Sequence, residues 1–340
     1  MVAVDDLVSK GLVAFILDTE PASDDTEVIN ALAKILSETD PSLLNHNAQK
    51  AAADANGWKF FRAAAFIAAL IPKLDIEAPA ILELVTTLVN KGGNDLAANQ
   101  PNAALREWCA QDRTRSDRIV NDARAGDALS IRHLCFALEA TADVPLALSL
   151  LDANDADIRR GAVVALGRIE ASGQEALDGV ARIARSEGDE HIAVNALHAG
   201  MAIASRQDGL TRETLREALL VQLAVRSDDA VHCAADLLWR YGKTLPDDEF
   251  AICIDSARRV SSESKRTLEA IDMAISTLRE TQRLPALCTV VRDAIDGAEG
   301  RIQLDDFTSF DHLLRTDRSD STTRIVTDWL LNGGVHSRKT

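Results

Sequence analysis

The sequence predicts an all-α fold, a right-handed α-solenoid of stacked antiparallel helix hairpins, and three observations carry that expectation. Apolar residues return every three or four positions over long windows, as one face of a helix requires, while alternating β-branched runs are almost absent. Only 4% of the 340 residues are aromatic although 46% are hydrophobic, so the core has to be built mainly from Ala, Leu, Val and Ile. Ala in particular lets helix backbones approach closely. The third observation is a recurrence: a helical triplet of apolar or small residues comes back every 34 to 39 positions in the second half of the chain.

Taken in order, Val28, Leu32, Ile35 and Leu36 make the first clear stripe, which Asp40, Pro41 and Ser42 interrupt. Ile81, Leu84, Val85 and Leu88 make the next, with Pro79 in its first turn, where a missing N–H costs nothing. The segment 92–102, rich in Gly, Asn and Pro, is the expected seam, so residues 1–100 read as an N-terminal helical segment of degenerate repeats. Residues 128–143 and 144–169 then form one hairpin. The recurrence runs Ile158, Ala162, Leu166; Ile192, Ala196, Gly200; Val231, Ala235, Trp239; Leu268, Ile271, Ile275; and Phe307, Phe310, Leu314. Its starting residues are 34, 39, 37 and 39 apart, room for two helices and their turns. One such hairpin cannot hide its own apolar face, so neighbours must stack upon it, and 101–315 reads as the repeat array. Ala162, Ala165 and Ala196 keep the helix surface shallow, and Gly167 and Gly200, poor helix formers, fit close backbone packing. Thr211 is placed to cap the helix that follows it. Ile325, Val326, Trp329 and Leu330 mark a C-terminal capping helix within 316–340, with Trp239 and Trp329 filling gaps between repeats and covering the terminal face.

The sharpest unit is LLDANDADIRRGAVVALGRI at 150–169: an apolar helix end, an Asp-bearing turn, an apolar residue followed by Arg, a small residue, then Ala-Leu-Gly. It resembles the HEAT-repeat family and its HEAT-like and armadillo relatives, with Asp152, Asp155, Asp157, Ile158, Arg159, Ala162, Ala165, Leu166 and Gly167 matching one by one. Ala193, His232 and Glu269 stand where later units of that family carry Arg, so a continuous Arg ladder is not expected. The resemblance implies architecture and a tendency to bind large partners, and no shared reaction.

Few residues stand in patterns that carry chemistry. The five cysteines are scattered without a CxxC pair, as thiols of a reducing compartment are. The apolar runs 11–17 and 63–71 are too short to span a bilayer, and Asp5 and Asp6 precede the first of them where a secretory leader carries positive charge. A soluble cytoplasmic protein is therefore expected. Among the seven histidines, His191 and His198 lack an i, i+4 partner or an HExxH setting, while His133 with Cys135 and His232 with Cys233 point apart on a helix, so no metal, catalytic or cofactor site is expected. Asp152, Asp155 and Asp157 read as helix-capping residues, as do the acids at 247–249 and 305–306. No phosphate loop or nucleophile elbow is present.

Charge narrows the partner. With 53 acids against 37 bases the net charge is −16, which favours a basic protein surface through encounter rate and exclusion of wrong partners. Against that background Arg106, Arg113, Arg115, Arg118, Arg124 and Arg132 crowd together beside Trp108, and Arg159, Arg160 and Arg168 follow. Arg113, Arg115, Arg118, Arg159, Arg160 and Trp108 are thus the binding candidates, since an Arg fork grips phosphate and Trp stacks on a base. Glu107, Asp112, Asp117, Asp122 and Asp127 are interleaved with them, however, and i, i+4 pairing neutralises such runs. The expectation is a noncatalytic protein-binding scaffold or adaptor, of bacterial immunity, defence or assembly type. The alternative is a HEAT-like nucleic-acid binder such as the alkylpurine DNA glycosylases, whose basic groove the charge of −16 opposes.

Overall fold

The computed structural model describes residues 4–38, 40–93, 99–299, 301–317 and 320–337. These residues are all-helical, with no strand among them. No helix among them is long and apolar enough to cross a membrane. The chain divides into two compact units, Met1–Ala171 and Ser172–Thr340.

The first unit holds α1 (Val4–Lys10), α2 (Leu12–Thr19), α3 (Thr26–Glu38), α4 (Ala48–Asp54), α5 (Gly57–Leu70), α6 (Ala78–Gly92), α7 (Gln100–Gln111), α8 (Arg113–Arg124), α9 (Ala128–Thr141), α10 (Val144–Leu150) and α11 (Ala156–Arg168). From α2 to α9, and again from α9 to α11, helices pack on the next but one, so α3, α5, α7, α9 and α11 make one layer and α2, α4, α6 and α8 the other, with α1 against α2 and α10 against α11. Helix ends are set locally. Asn56, Asp112, Asp127, Asp143 and Asp155 each accept a backbone N–H at the start of α5, α8, α9, α10 and α11, satisfying donors that a helix start leaves over. Four of these five caps are Asp, which gives part of the excess acid a structural task. Between α1 and α2, Gly11 has φ 79°, and a Cβ there would lie 2.1 Å from the carbonyl oxygen of His46, so only glycine fits.

The second unit holds α12 (Gln174–Ser186), α13 (Glu190–Arg206), α14 (Glu213–Leu223), α15 (Asp228–Tyr241), α16 (Asp247–Ala257), α17 (Lys265–Leu278), α18 (Leu284–Gly297), α19 (Thr308–Thr316) and α20 (Asp320–Asn332). The same rule holds, with α12, α14, α16, α18 and α20 in one layer and α13, α15, α17 and α19 in the other. A polar ladder follows the same spacing. The guanidinium of Arg212 grips the Glu249 carboxylate, Thr214 donates to Asp178 at 2.7 Å, Arg283 pairs with Asp247 at 2.6 Å and Arg292 with Asp328 at 2.6 Å. Asp272, nearly buried on α17, accepts from the backbone N–H of Ser309 at 2.9 Å and so caps α19 from the neighbouring hairpin. Each of these pairs joins residues 36 or 37 positions apart, a period that the apolar recurrence also shows.

The recurrent residues sit on alternate helices, α11, α13, α15, α17 and α19, with Phe307 just before the last. Ile158, Ala162, Leu166, Ile192, Ala196, Val231, Ala235, Leu268, Ile271, Ile275, Phe307 and Phe310 are all buried. Because Ala162 is fully enclosed, Ala162→Leu should cost about 1 to 3 kcal/mol through overpacking, read as a lower urea midpoint, and an unchanged midpoint would refute the contact.

Several local expectations change. The stretch 144–169 is two helices, α10 and α11, because Asp155 starts a new one. Thr211 does not cap α14: its N–H donates to the Gln174 side chain at 2.8 Å, its carbonyl accepts from the same amide, and Arg212 stands at the cap. On α19, Leu313 is buried and Leu314 only half-buried. On α20, Ile325 and Trp329 face inward, Trp329 against Phe310 with ring centroids 5.2 Å apart, whereas Val326 and Leu330, one step further round the helix, are exposed. Residues 94–98 of the expected seam lie outside the described residues. On either side of it α6 and α7 pack together within the first unit.

Candidate functional site

The candidate side chains of the arginine-rich segment are held by neighbours within the fold. Asp112 ends α7 and caps α8, so the chain turns back and Arg115 lies over Trp108, its guanidinium 4.5 Å from the ring centroid. Arg115 donates to the carbonyls of Trp108 at 3.0 Å and Leu74 at 3.3 Å, which links three segments of the unit. Trp108 itself is 1% exposed, and its indole N–H donates to the Leu74 carbonyl at 2.9 Å, so it has no face to offer a base. Its place in the core corrects its reading as a binding residue.

The other candidates have partners too. Arg113 reaches Asp143 at 2.8 Å, Arg118 pairs with Asp122 at 2.7 Å along its own helix, and Arg160 pairs with Asp157 at 2.8 Å. Arg159 donates to the carbonyls of Ala153 and Asn154, tying α11 to the turn before it. Asp152 lies exposed in that turn, and Gly167 is buried on α11. The close helix contact there is made by Gly161, where a Cβ would lie 3.3 Å from Leu134 of α9, a position the motif did not single out. Trp239 is half-buried with the Arg240 guanidinium 4.8 Å over its ring.

A groove does exist, on a different surface. In the first unit the layer α5, α7, α9 and α11 carries an open concavity of about 1020 Å³. Its floor is alanine, Ala65, Ala68 and Ala69 from α5 with Ala103, Ala104 and Ala110 from α7, because side chains that stop at Cβ leave the space above them empty. Its wall is a charge cluster. Glu139 of α9, with its side chain only 12% exposed, receives Arg106 of α7 at 2.5 Å and stands 3.6 Å from Arg168 of α11. Arg168 also covers the Phe136 ring, its guanidinium 5.3 Å from the centroid. Through these pairs Glu139 joins α7 and α11 to α9.

Neither a protein-family model nor a curated protein matches the chain. Among solved structures, the chain is aligned over 98% of its length with all of an engineered protein seen in a crystal structure, at 14% identity and a TM-score of only 0.29.

Outside the groove, burial governs the buried histidines and cysteines. Burial, with the nearby Arg132 charge, pushes His133 down to about 4, and its Nε2 lies 2.8 Å from the Thr86 hydroxyl. Burial also lowers His198, against the opposing pull of Asp236, 3.6 Å away. All five cysteines are free thiols, and burial raises Cys109 and Cys135 to about 11 and lifts the other three as well, so the thiolate is disfavoured throughout. Among the described residues no group of three His, Cys, Asp or Glu side chains is placed to hold a metal ion.

One exposed feature was not legible in the charge and motif patterns. Trp58, in the first turn of α5, is 64% exposed, with the Arg62 guanidinium 4.8 Å over its ring. Arg62 is in turn held by Glu20 at 3.1 Å.

Proposed function

We propose that the chain is a noncatalytic α-solenoid of right-handed, HEAT-like helix hairpins that binds another protein in the cytoplasm as a scaffold or adaptor. The observation that carries this reading is the open alanine-floored groove on the α5–α7–α9–α11 layer. Arg106 and Arg168 are both held by Glu139 while Glu107 stands exposed, so what it offers a partner is shape, apolar area and an acidic side chain. Layers built by packing each helix on the next but one yield extended surfaces of this sort, and surface residues can vary without disturbing the Ala and Leu core. The excess of acid favours a partner with a basic surface. A bacterial immunity, defence-associated or assembly role belongs to the same reading.

The competing nucleic-acid reading would require phosphates to take Arg113, Arg118 and Arg160 from the carboxylates they already hold. Two measurements decide between them. The tagged chain, purified from its own cells, should retain a reproducible protein partner. Across a salt series with damaged and intact duplexes, the pure protein should bind DNA weakly and without preference at physiological salt and release no base. Strong damage-selective binding with base release would sink the noncatalytic reading.

A further inference from the structure

We infer that the groove of the first unit receives a basic amphipathic α-helix of the partner protein, with Trp58 as the anchor at its edge. This rests on the protein-binding reading above and names the surface and the chemistry of what fills it. Trp58, Arg62, Ala65 and Ala69 follow one another at steps of four, three and four, so they share one stripe of α5. Ala65 and Ala69 line the groove, which puts Trp58 on the same stripe roughly 10 Å further along, at 1.5 Å per residue. Arg62 braces one side of the indole, and the ring remains mostly open to solvent. Tryptophan is among the residue types that dominate binding energy at interfaces, and Trp58 is the exposed one on the stripe that leads into the groove.

The floor selects a helix. Alanine surfaces let a second helix approach at the short end of the usual 8 to 10 Å separation, and an apolar stripe at i, i+3, i+4 and i+7 then fills the space that the missing side chains leave. The charges select its sign. Glu107, Glu139 and Glu170 line the groove against Arg106 and Arg168, and Glu107 is exposed with no ion-pair partner among the described residues. A Lys or Arg beside the apolar stripe would meet it. A second copy of this chain is the poorer occupant, because it would bring another net charge of −16 to a surface that is already acidic.

The test is selection from a displayed library of helical peptides on the full chain, followed by fluorescence polarisation with one labelled enriched peptide. Ala103→Trp fills the groove, Trp58→Ala removes the anchor and Glu107→Lys reverses the free charge. All three positions are exposed, so each variant should keep the helix content and melting temperature of the parent. Enriched peptides should carry an apolar helical stripe flanked by Lys or Arg. Ala103→Trp and Trp58→Ala should each weaken the labelled peptide at least tenfold, and Glu107→Lys should weaken it while improving a Lys→Glu version of the same peptide. No enrichment, enrichment of acidic or non-amphipathic sequences, or affinity indifferent to Ala103→Trp would overturn the inference. A cellular protein partner that still binds Ala103→Trp and Trp58→Ala would remove this assignment alone, whereas damage-selective DNA binding with base release would remove the reading beneath it.

Discussion

Replacing Arg212 by Met should lower the unfolding free energy by about 3 to 5 kcal/mol, the largest loss expected of any single polar substitution in the second unit. Glu249 is 1% exposed, and the Arg212 guanidinium is its counterion, with Nε at 2.8 Å from one carboxylate oxygen and Nη2 on the other. Arg212 also donates to the Ala204 carbonyl at 3.3 Å, so one side chain joins the end of α13, the start of α14 and the first turn of α16. Methionine can follow the aliphatic stem, but it leaves a carboxylate in the core without a cation. The double variant Arg212→Met with Glu249→Leu should recover most of the loss, since removing both charges also removes their desolvation. Urea unfolding followed by circular dichroism supplies both numbers. A single variant within about 1 kcal/mol of the parent would show that Glu249 finds water or another donor.

That ion pair shows where the sequence stops being readable. Glu249 stands in a run of three acids after Pro246, and helix-start chemistry accounts for all three in the same way. Asp247 and Asp248 keep to it, exposed and paired with Arg283 and Arg216. Glu249 differs only because α16 lies against α14, a neighbour fixed by stacking and absent from any local pattern. The helices themselves were legible because apolar spacing is local: Ile81, Leu84, Val85 and Leu88 are buried as their period demands. Even there the phase slips by one residue in α3, where Ile29 and Ala33 face inward and Val28 and Ile35 are half-buried. The groove was hidden for a related reason. Alanine at a helix contact and alanine beneath an open concavity look alike in a sequence, and Ala162 and Ala103 differ only in whether a neighbouring side chain arrives above them.

Trp108→Ala should cost about 3 to 5 kcal/mol, as truncation of a large buried aromatic does, and this separates its two readings. A tryptophan that stacked on a base would lose binding on truncation and leave stability nearly unchanged. In the structure the ring is enclosed beneath Arg115, and its N–H serves the Leu74 carbonyl. Removing it opens a cavity between α7 and the segment that follows α5, and strips the Arg115 guanidinium of the surface on which it lies. Trp108→Phe should cost less, because most of the ring remains and Arg115 still donates to Leu74 at 3.3 Å. Arg115→Ala should lower the urea midpoint in the same direction, while Arg118→Ala, exposed and paired only along its own helix, should leave it in place. Equal midpoints for Trp108→Ala and the parent would return Trp108 to the surface. A lowered midpoint with DNA association unchanged from the parent's weak, unselective level would keep it in the core, where the turn at Asp112 has folded Arg115 back across it.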